Sequence, residues 1–258
     1  MQIRVLTLFP ELFDGFWANG IIKRAIAGGS IAPRVVNIRS FATDRHQVTD
    51  DRPYGGGAGM VMKPEPLAAA IRSTRSEVAA TKTGHASAGG GSTAILMSPQ
   101  GRVFNQGLAR ELASQEDLIF VCGRYEGVDE RVIDSDIDLE LSIGDFILTG
   151  GEVAAMVVID AVTRLLPGVL GNADSAEVES FSTGRLENAH YTRPREFESA
   201  GVPDVLLSGN HGEIERWRLE SALVRTLLKR PDLLSEERLS AAEKAILRRW
   251  LGEWDNLE

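Results

Sequence analysis

Residues 118–132, LIFVCGRYEGVDERV, join an unbroken apolar run to a glycine-containing loop, and this stretch decides the fold. A second apolar run, 94–97, stops at Ser98-Pro99-Gln100-Gly101 in the same way. Short apolar runs followed by turn residues predict strands buried on both faces of a parallel sheet. A further glycine-rich stretch, SIGDFILTGGE at 142–152, follows an acidic segment. Because open parallel sheets bind ligands beyond the carboxyl ends of their strands, these loops predict a ligand pocket.

The composition is that of an ordinary soluble globular protein. Its 258 residues are 43% hydrophobic and 25% charged, which suits one large domain or two smaller ones. No apolar stretch approaches the roughly 20 residues of a membrane span, and the N-terminal residues lack the features of a signal peptide. The single cysteine, Cys122, permits no internal disulfide. We therefore expect a cytoplasmic protein without a membrane partner, in which Cys122 is a small core residue.

The net charge of −9 is unevenly distributed. Ten acidic residues and one basic residue lie between Glu126 and Asp160, so this segment carries the whole excess and the remainder is neutral overall. Local basic character remains at Arg193 and Arg195 and along 216–230, and it is compatible with a nucleic-acid partner. On charge alone, an ordinary solvated helix face is the preferred interpretation of 216–230.

The first third of the chain begins as a βαβ unit. Residues 2–9 and 34–38 predict strands, and 11–27 predict a helix that Gly28-Gly29 ends. The loop DDRPYGGGAGM, 50–60, is rich in glycine, so its backbone could approach a phosphate or base closely. It matches neither the dinucleotide-binding fingerprint nor the P-loop pattern. Residues 73–92 are rich in small residues and predict a mobile surface loop.

The last third is predicted to be helical. Residues 152–166 are apolar nearly all round, which indicates a buried helix ended by Pro167-Gly168. The polar stretch 172–188 predicts a linker or lid. A helix is expected from about Glu213 to Lys229, and a last one from near Ser240, so a small helical domain should follow the α/β domain.

Taken together, the motifs resemble one family almost end to end. This family is the bacterial tRNA (guanine-N1)-methyltransferases of the SPOUT superfamily, which use S-adenosyl-L-methionine to methylate guanine 37, on the 3′ side of the anticodon. The resemblance implies a parallel-sheet α/β methyltransferase domain with a trefoil knot at 1–170, a linker or lid at 171–188 and a helical tRNA-binding domain at 189–258. The matching motifs are TLFPELF, DDRPYGGGAGM, SPQGR, CGRYEGVDERV, SIGDFILTGGE, PGVLGN, HYTRP, VLLSGNH and RWR.

The resemblance assigns the cofactor to three loops whose backbone groups would hold the adenine, ribose and methionine portions of S-adenosyl-L-methionine. Apolar Ile143, Phe146 and Leu148 would flank the adenine. Taken singly, each glycine reads equally well as a plain turn, and Phe146 as a core aromatic. The residues implied for cofactor binding are Leu96, Met97, Ser98, Gly123, Tyr125, Glu126, Ile143, Gly144, Asp145, Phe146, Ile147, Leu148, Gly150 and Gly151.

Methylation at guanine N1 needs a base for the N1 proton and a cation for the charge that spreads toward O6. The resemblance implies Arg164 as the cation and the carboxylate of Glu179 as the base, where the family usually has Asp. Asp174 and Glu177 are rival carboxylates in the same segment. Without the resemblance, Arg164 would be interpreted as the ion-pair partner of Asp160, four residues earlier on the same helix.

The resemblance also implies a homodimer in which the linker and C-terminal domain of one subunit close the active site of the other. Tyr54, Gly56, Arg193 and Arg216 are the implied RNA contacts. Magnesium is associated with the family, but no cluster here has ligand spacing that assigns its site. Two other hypotheses stay open, a knotted methyltransferase with another RNA target and a non-catalytic RNA-binding relative. The C-terminal motifs disfavour the former, and only Glu179 supports the latter.

Overall fold

The computed structural model describes residues 1–81, 92–171, 179–234 and 239–254 of the chain. The chain divides into two compact units, Met1–Gly171 and Asn172–Glu258. Residues 179–188, the described part of the predicted linker, belong to the second unit.

A five-stranded sheet with parallel pairing throughout forms the centre of the first unit. This confirms the parallel sheet predicted from the apolar runs. The strand order is β2-β1-β6-β5-β7, and β3 and β4 form a separate antiparallel pair. The strands are β1 (Gln2–Thr7), β2 (Ala32–Asn37), β3 (Asp50–Asp51), β4 (Val61–Met62), β5 (Thr93–Val103), β6 (Asp117–Cys122) and β7 (Leu139–Ser142).

Helices cover both faces of this sheet, which explains why its strands are apolar on both sides. In β6, Phe120 belongs to one buried cluster and Val121 to the other, although they are adjacent in sequence. Full burial of such side chains contributes about 1.5–3 kcal/mol each relative to exposure. The helices of this unit are α1 (Asp14–Trp17), α2 (Gly20–Ala27), α3 (Pro64–Thr81), α4 (Gln106–Ala113), α5 (Glu130–Asp136) and α6 (Glu152–Thr163).

Two predictions for the first 81 residues need correction. The single helix predicted over 11–27 is a 3₁₀ turn, Pro10–Phe13, followed by α1 and α2, because Asn19 is extended and Gly20 has a φ of +59°. Part of the stretch predicted as a loop over 73–92 is helical, since α3 continues to Thr81. Leu67, Ile71 and Val78 are spaced along one face of α3 and buried, which outweighs the small-residue composition. Residues 82–91 of the predicted loop lie outside the described residues.

Strand β5 also runs further than the sequence suggested. It continues past Ser98 to Val103 with a register shift between Met97 and Arg102 against β7. Gly101 permits this close pairing, since a Cβ there would lie 2.4 Å from the backbone carbonyl carbon of Glu140. Strand β7 itself was not predicted.

Helix α6 begins and ends close to its predicted bounds but is not buried on all sides. Ala155, Val158, Ile159 and Val162 face the sheet, whereas Val153 and Val157 are 57% and 45% exposed. Within one chain, α6 therefore presents an apolar face to solvent. None of the helices in the described ranges has the length and apolar character that a membrane span requires.

In the described residues of the second unit, the α-helices are α7 (His211–Lys229) and α8 (Ala241–Trp254), and a short antiparallel pair is formed by β8 (Glu196–Phe197) and β9 (Ala200–Gly201). Asn210 caps α7 by accepting a hydrogen bond from the amide of Glu213. Ser240 and Glu243 form a reciprocal capping box at the start of α8. The predicted starts of both helices are thus correct to within about two residues.

Candidate active site

A cavity of about 490 Å³ lies beyond the carboxyl ends of β6 and β7 and beside the part of β5 where the register against β7 shifts. The segments 123–128 and 142–151, which follow β6 and β7, form two of its walls, as expected for an open parallel sheet, and residues 96–100 of β5 also line it. Of the residues implied for cofactor binding, all except the exposed Asp145 line this cavity. Arg124 and Thr149, which lie within the implied loops 123–126 and 143–151, line it as well. Sequence reasoning did not assign the other lining residues, which are Pro99, Gln100, Gly127, Val128, Glu130, Ile133, Leu141, Ser142 and Ala154.

The first wall is the loop 123–128. The DDRPYGGGAGM loop at 50–60 supports it on the side away from the cavity. The amide of Glu126 donates to the carbonyl of Met60 at 3.0 Å, and the amide of Met62 donates to the carbonyl of Gly127 at 2.9 Å. Gly59 has a φ of +84°, which favours glycine, and a Cβ there would also displace the Glu126 side chain, whose Oε1 would lie 2.3 Å away. One end of the DDRPYGGGAGM loop is therefore a support for the cavity wall.

The second wall is the segment 142–151. The Ser142 hydroxyl lies 3.2 Å from both the amide and the carbonyl oxygen of Gly144, whose φ is +139°. This turn presents Phe146, Ile147 and Leu148, which are 54%, 81% and 40% exposed. Phe146 is therefore not a core aromatic. A cluster of exposed apolar side chains at a cavity mouth is typical of a surface that a ligand or another protein covers.

Backbone contacts join the two walls. The amide of Gly151 donates to the carbonyl of Gly123 at 2.9 Å, and Arg124 pairs with Gly150 in an isolated antiparallel bridge. A Cβ on Gly151 would lie 2.9 Å from Cβ of Met97 and 3.0 Å from Cα of Cys122. The absence of side chains at these positions lets the helix, the strand ends and the loop meet.

A buried ionic cluster lies next to this junction, and the sequence analysis missed it. The carboxylate of Glu152, a residue only 1% exposed, accepts a hydrogen bond from the Thr7 hydroxyl at 2.7 Å and from Nε of Arg124 at 3.1 Å. The guanidinium of Arg124 lies 4.2 Å from the centre of the Phe9 ring. The sequence did contain a signal for this cluster, because Glu152 is the first residue of an apolar helix, and a carboxylate buried there requires hydrogen-bond or charged partners.

Cys122 ends β6 beside this cluster and is inert. Burial, with a smaller contribution from the charge of Glu152, holds the pKa of the Cys122 thiol well above its usual value. The thiol is therefore protonated at neutral pH and is a poor nucleophile. This agrees with the core role expected from the sequence.

The residues implied for catalysis lie in different units and do not line the cavity. Arg164 is half-buried at the C-terminus of α6, where its amide donates to the carbonyl of Asp160 at 3.2 Å. Glu179 is half-buried in the second unit, and its carbonyl accepts from the amide of Ser182 at 3.1 Å. The rival carboxylates Asp174 and Glu177 lie outside the described residues.

The residues implied for RNA contact are accessible. Tyr54 is 98% exposed, and Gly56, with a φ of +80°, lies in the same loop of the first unit. Arg193 and Arg216 are exposed in the second unit. In the parts of the chain described here, no group of three His, Cys, Asp or Glu side chains is arranged to hold a metal ion.

Comparison with known proteins identifies the family. The family model described as tRNA (Guanine-1)-methyltransferase TrmD matches residues 1–236. A tRNA (guanine-N(1)-)-methyltransferase of Geotalea uraniireducens (strain Rf4) is 55% identical over 248 residues, covering 96% of both chains. Enzymes of the same name from Geobacter sulfurreducens and Listeria monocytogenes are 54% and 48% identical, covering 96% and 99% of both chains respectively. The chain therefore belongs to the tRNA (guanine-N1)-methyltransferase family.

Proposed function

We propose that this methyltransferase transfers the methyl group of S-adenosyl-L-methionine to N1 of guanine 37 of tRNA. The observation that carries the proposal is the cavity beside β5 and beyond the carboxyl ends of β6 and β7, which gathers the residues of three separate sequence motifs. Neither the glycine loops nor the apolar side chains would identify a site alone. Their convergence on one cavity, in a chain of this family, supports a single donor site.

The cavity suits S-adenosyl-L-methionine in size and chemistry. Its volume of about 490 Å³ lies within the range of small-molecule pockets, about 300–1,000 Å³. Leu96, Ile143 and Leu148 offer apolar surface to the adenine, and backbone groups at Gly123 and Gly150 offer directional hydrogen bonds. The Glu126 carboxylate offers a negative charge to a cationic ligand. When bound, the donor supplies an electrophilic methyl group on a sulfonium.

The protein must then remove a proton from guanine N1. In the proposed mechanism Glu179 accepts this proton as general base, while the guanidinium of Arg164 stabilises the negative charge that develops toward O6. Glu179 extends one methylene beyond the usual aspartate, or roughly 1.5 Å. Its backbone must therefore lie correspondingly further from the base than that of an aspartate.

The apolar face of α6 supports the proposed homodimer. Val153 and Val157 are exposed on this helix, and Ile147 is 81% exposed in the segment that precedes it. A second copy of the chain would cover such a face in a self-complementary interface. In that dimer, Glu179 and the tRNA-binding domain at 189–258 of one subunit would serve the donor site of the other.

The proposed trefoil knot in 1–170 rests on membership of the family. The position of β6 between β1 and β5, both earlier in the chain, is compatible with it. The linker or lid at 171–188 would then lead to the tRNA-binding domain.

A tRNA substrate implies that the proposed reaction takes place in the cytoplasm.

One assay tests the target. Purified protein is incubated with methyl-labelled S-adenosyl-L-methionine and either a tRNA transcript with guanine at position 37 or the same transcript with adenine there. We expect label only in the guanine transcript, at N1 after nuclease digestion. Equal labelling of both transcripts would contradict the target, and binding of both transcripts without labelling of either would favour a non-catalytic RNA-binding protein.

A further inference from the structure

We propose that Glu152, together with Arg124 and Thr7, is a positioning group that fixes the two walls of the donor cavity relative to each other. The inference rests on the proposed assignment of this cavity to S-adenosyl-L-methionine. Neither Glu152 nor Thr7 is among the residues implied for binding or catalysis, and Arg124 is implied only through the backbone of its loop. Their side chains join the end of β1, the loop after β6 and the start of α6.

The contacts of Glu152 leave its carboxylate little freedom. Oε1 accepts from both the Thr7 hydroxyl, at 2.7 Å, and Nε of Arg124, at 3.1 Å, while Oε2 lies 3.1 Å from Nη2 of Arg124. The Thr7 hydroxyl in turn accepts from the amide of Phe9 at 3.0 Å. Arg124 is thus held through two nitrogens and against the Phe9 ring, which fixes the plane of its guanidinium.

The ion pair contacts the wall of the cavity at Gly150, which has no side chain to keep the two apart. Arg124 and Gly150 both line the cavity and pair with each other, one from each wall. A Cβ on Gly150 would lie 2.5 Å from Oε2 of Glu152 and 2.6 Å from Nε of Arg124. The backbone of the second wall therefore rests directly on the ion pair, so the position of the pair determines the position of the wall.

Stability alone is a weak reason for such a pair. Apolar residues of similar volume often replace a buried ion pair without loss of stability, because desolvation offsets the attraction between the charges. What an apolar contact lacks is direction. Hydrogen bonds from two segments to one carboxylate fix both distance and angle, which is what a binding cavity between two loops requires.

The test compares two buried carboxylates that are matched in their ion pairing. Glu152→Gln neutralises the carboxylate beside the cavity with little change in volume. Asp136→Asn does the same to a carboxylate held by Nε and Nη2 of Arg72, both at 2.8 Å, in a pair that does not line the cavity. Calorimetry gives the Kd for S-adenosyl-L-methionine, steady-state kinetics give KM for donor and tRNA, and thermal melts report stability.

We expect Glu152→Gln to raise the Kd and KM for the donor about tenfold, the cost of one misdirected charged hydrogen bond, with the KM for tRNA unchanged. Asp136→Asn should lower the Tm and leave both donor constants unchanged. Loss of folded protein lowers kcat per total enzyme without changing the KM of the folded fraction. A rise in donor KM therefore separates positioning from a purely structural role.

Thr7→Val supplies a second variant that retains the ion pair and removes only the hydroxyl. The variant loses the hydroxyl's hydrogen bond to the Glu152 carboxylate and the one it accepts from the Phe9 amide. We expect a donor Kd only about threefold higher, because both contacts between Glu152 and Arg124, which join the two walls, remain. If Glu152→Gln folds, unchanged donor affinity in both variants would overturn the inference. If Glu152→Gln does not fold, unchanged donor affinity in Thr7→Val alone would overturn it. Leu148→Asp tests the cavity assignment separately, because donor binding that survives this change would refute the site itself.

Discussion

Substitution of Gly151 by alanine tests how closely the helix and the cavity walls are packed. The φ of Gly151 is −77°, which alanine adopts without strain, so the effect arises from space alone. The new Cβ would lie 2.9 Å from Cβ of Met97 and 3.0 Å from Cα of Cys122. Met97 lies within β5 and Cys122 ends β6, and they are 6% and 0% exposed, so neither has room to yield.

The expected magnitude follows from these distances. Ordinary contact begins near 3.4 Å, so the start of α6 must move by about 0.5 Å, the difference from 2.9 Å. Overpacking of this kind costs about 2 kcal/mol, or about 4–8 °C in Tm for a unit of this size. Because a misplacement of about 1 Å can cost about 100-fold, we expect the donor Kd to rise about tenfold.

Gly15→Ala is the matched control, because no atom lies within 4 Å of the Cβ it would add. Gly15 lies in α1, where alanine should be neutral or stabilise the fold by up to about 1 kcal/mol. Melting curves and calorimetric titration with S-adenosyl-L-methionine measure both variants. If Gly151→Ala melts and binds like Gly15→Ala, the close packing of α6 against the strand ends is wrong.

Three further predictions address the chemistry, the pH dependence and the assembly. Glu179→Gln should slow methyl transfer by about 100-fold or more and leave the donor Kd unchanged, and unaltered turnover would remove Glu179 from the mechanism. The hydrogen bonds and charge of Arg72 lower the pKa of Asp136, so the pair stabilises the fold above the ordinary carboxyl pKa and ceases to do so as pH falls through the lowered value. The Tm difference between wild type and Asp136→Asn should therefore be largest near pH about 7 and vanish in strong acid, whereas a difference that persists there would contradict the linkage. Val157→Asp should weaken the proposed dimer by on the order of 100-fold in analytical ultracentrifugation, since it would bury an unpaired carboxylate in the proposed interface. A dimer of unchanged affinity would exclude this face of α6 as the interface.

Local patterns predicted the features that depend on local chemistry. The apolar run at 118–121 predicted a strand buried on both faces, because burial requires apolar side chains. The turn residues that follow this run predicted a cavity wall, because glycine and polar residues mark the end of a strand. Gly28-Gly29 likewise ended the predicted helix, and α2 stops at Ala27 with Gly29 in the left-handed region.

The features that were missed depend on distant parts of the chain. Strand β7 has only four residues, LELS, at the end of an acidic segment, and it is stabilised by its pairing with β5. Thr7 and Glu152 are 145 residues apart, so nothing in either neighbourhood indicates their hydrogen bond. Residues 73–81 are low in complexity, but Val78 extends the buried face of α3, and tertiary packing overrides composition there.

The sole cysteine of the chain makes it possible to follow opening of the sheet without an added probe. Cys122 is fully buried at the end of the central strand β6. An alkylating reagent can reach its sulfur only when the surrounding strands separate, so the rate of modification in native buffer reports the free energy of that opening. A ligand that stabilises the closed protein should slow this reaction in proportion to its saturation, and mass spectrometry of the intact chain would measure both effects on one sulfur atom.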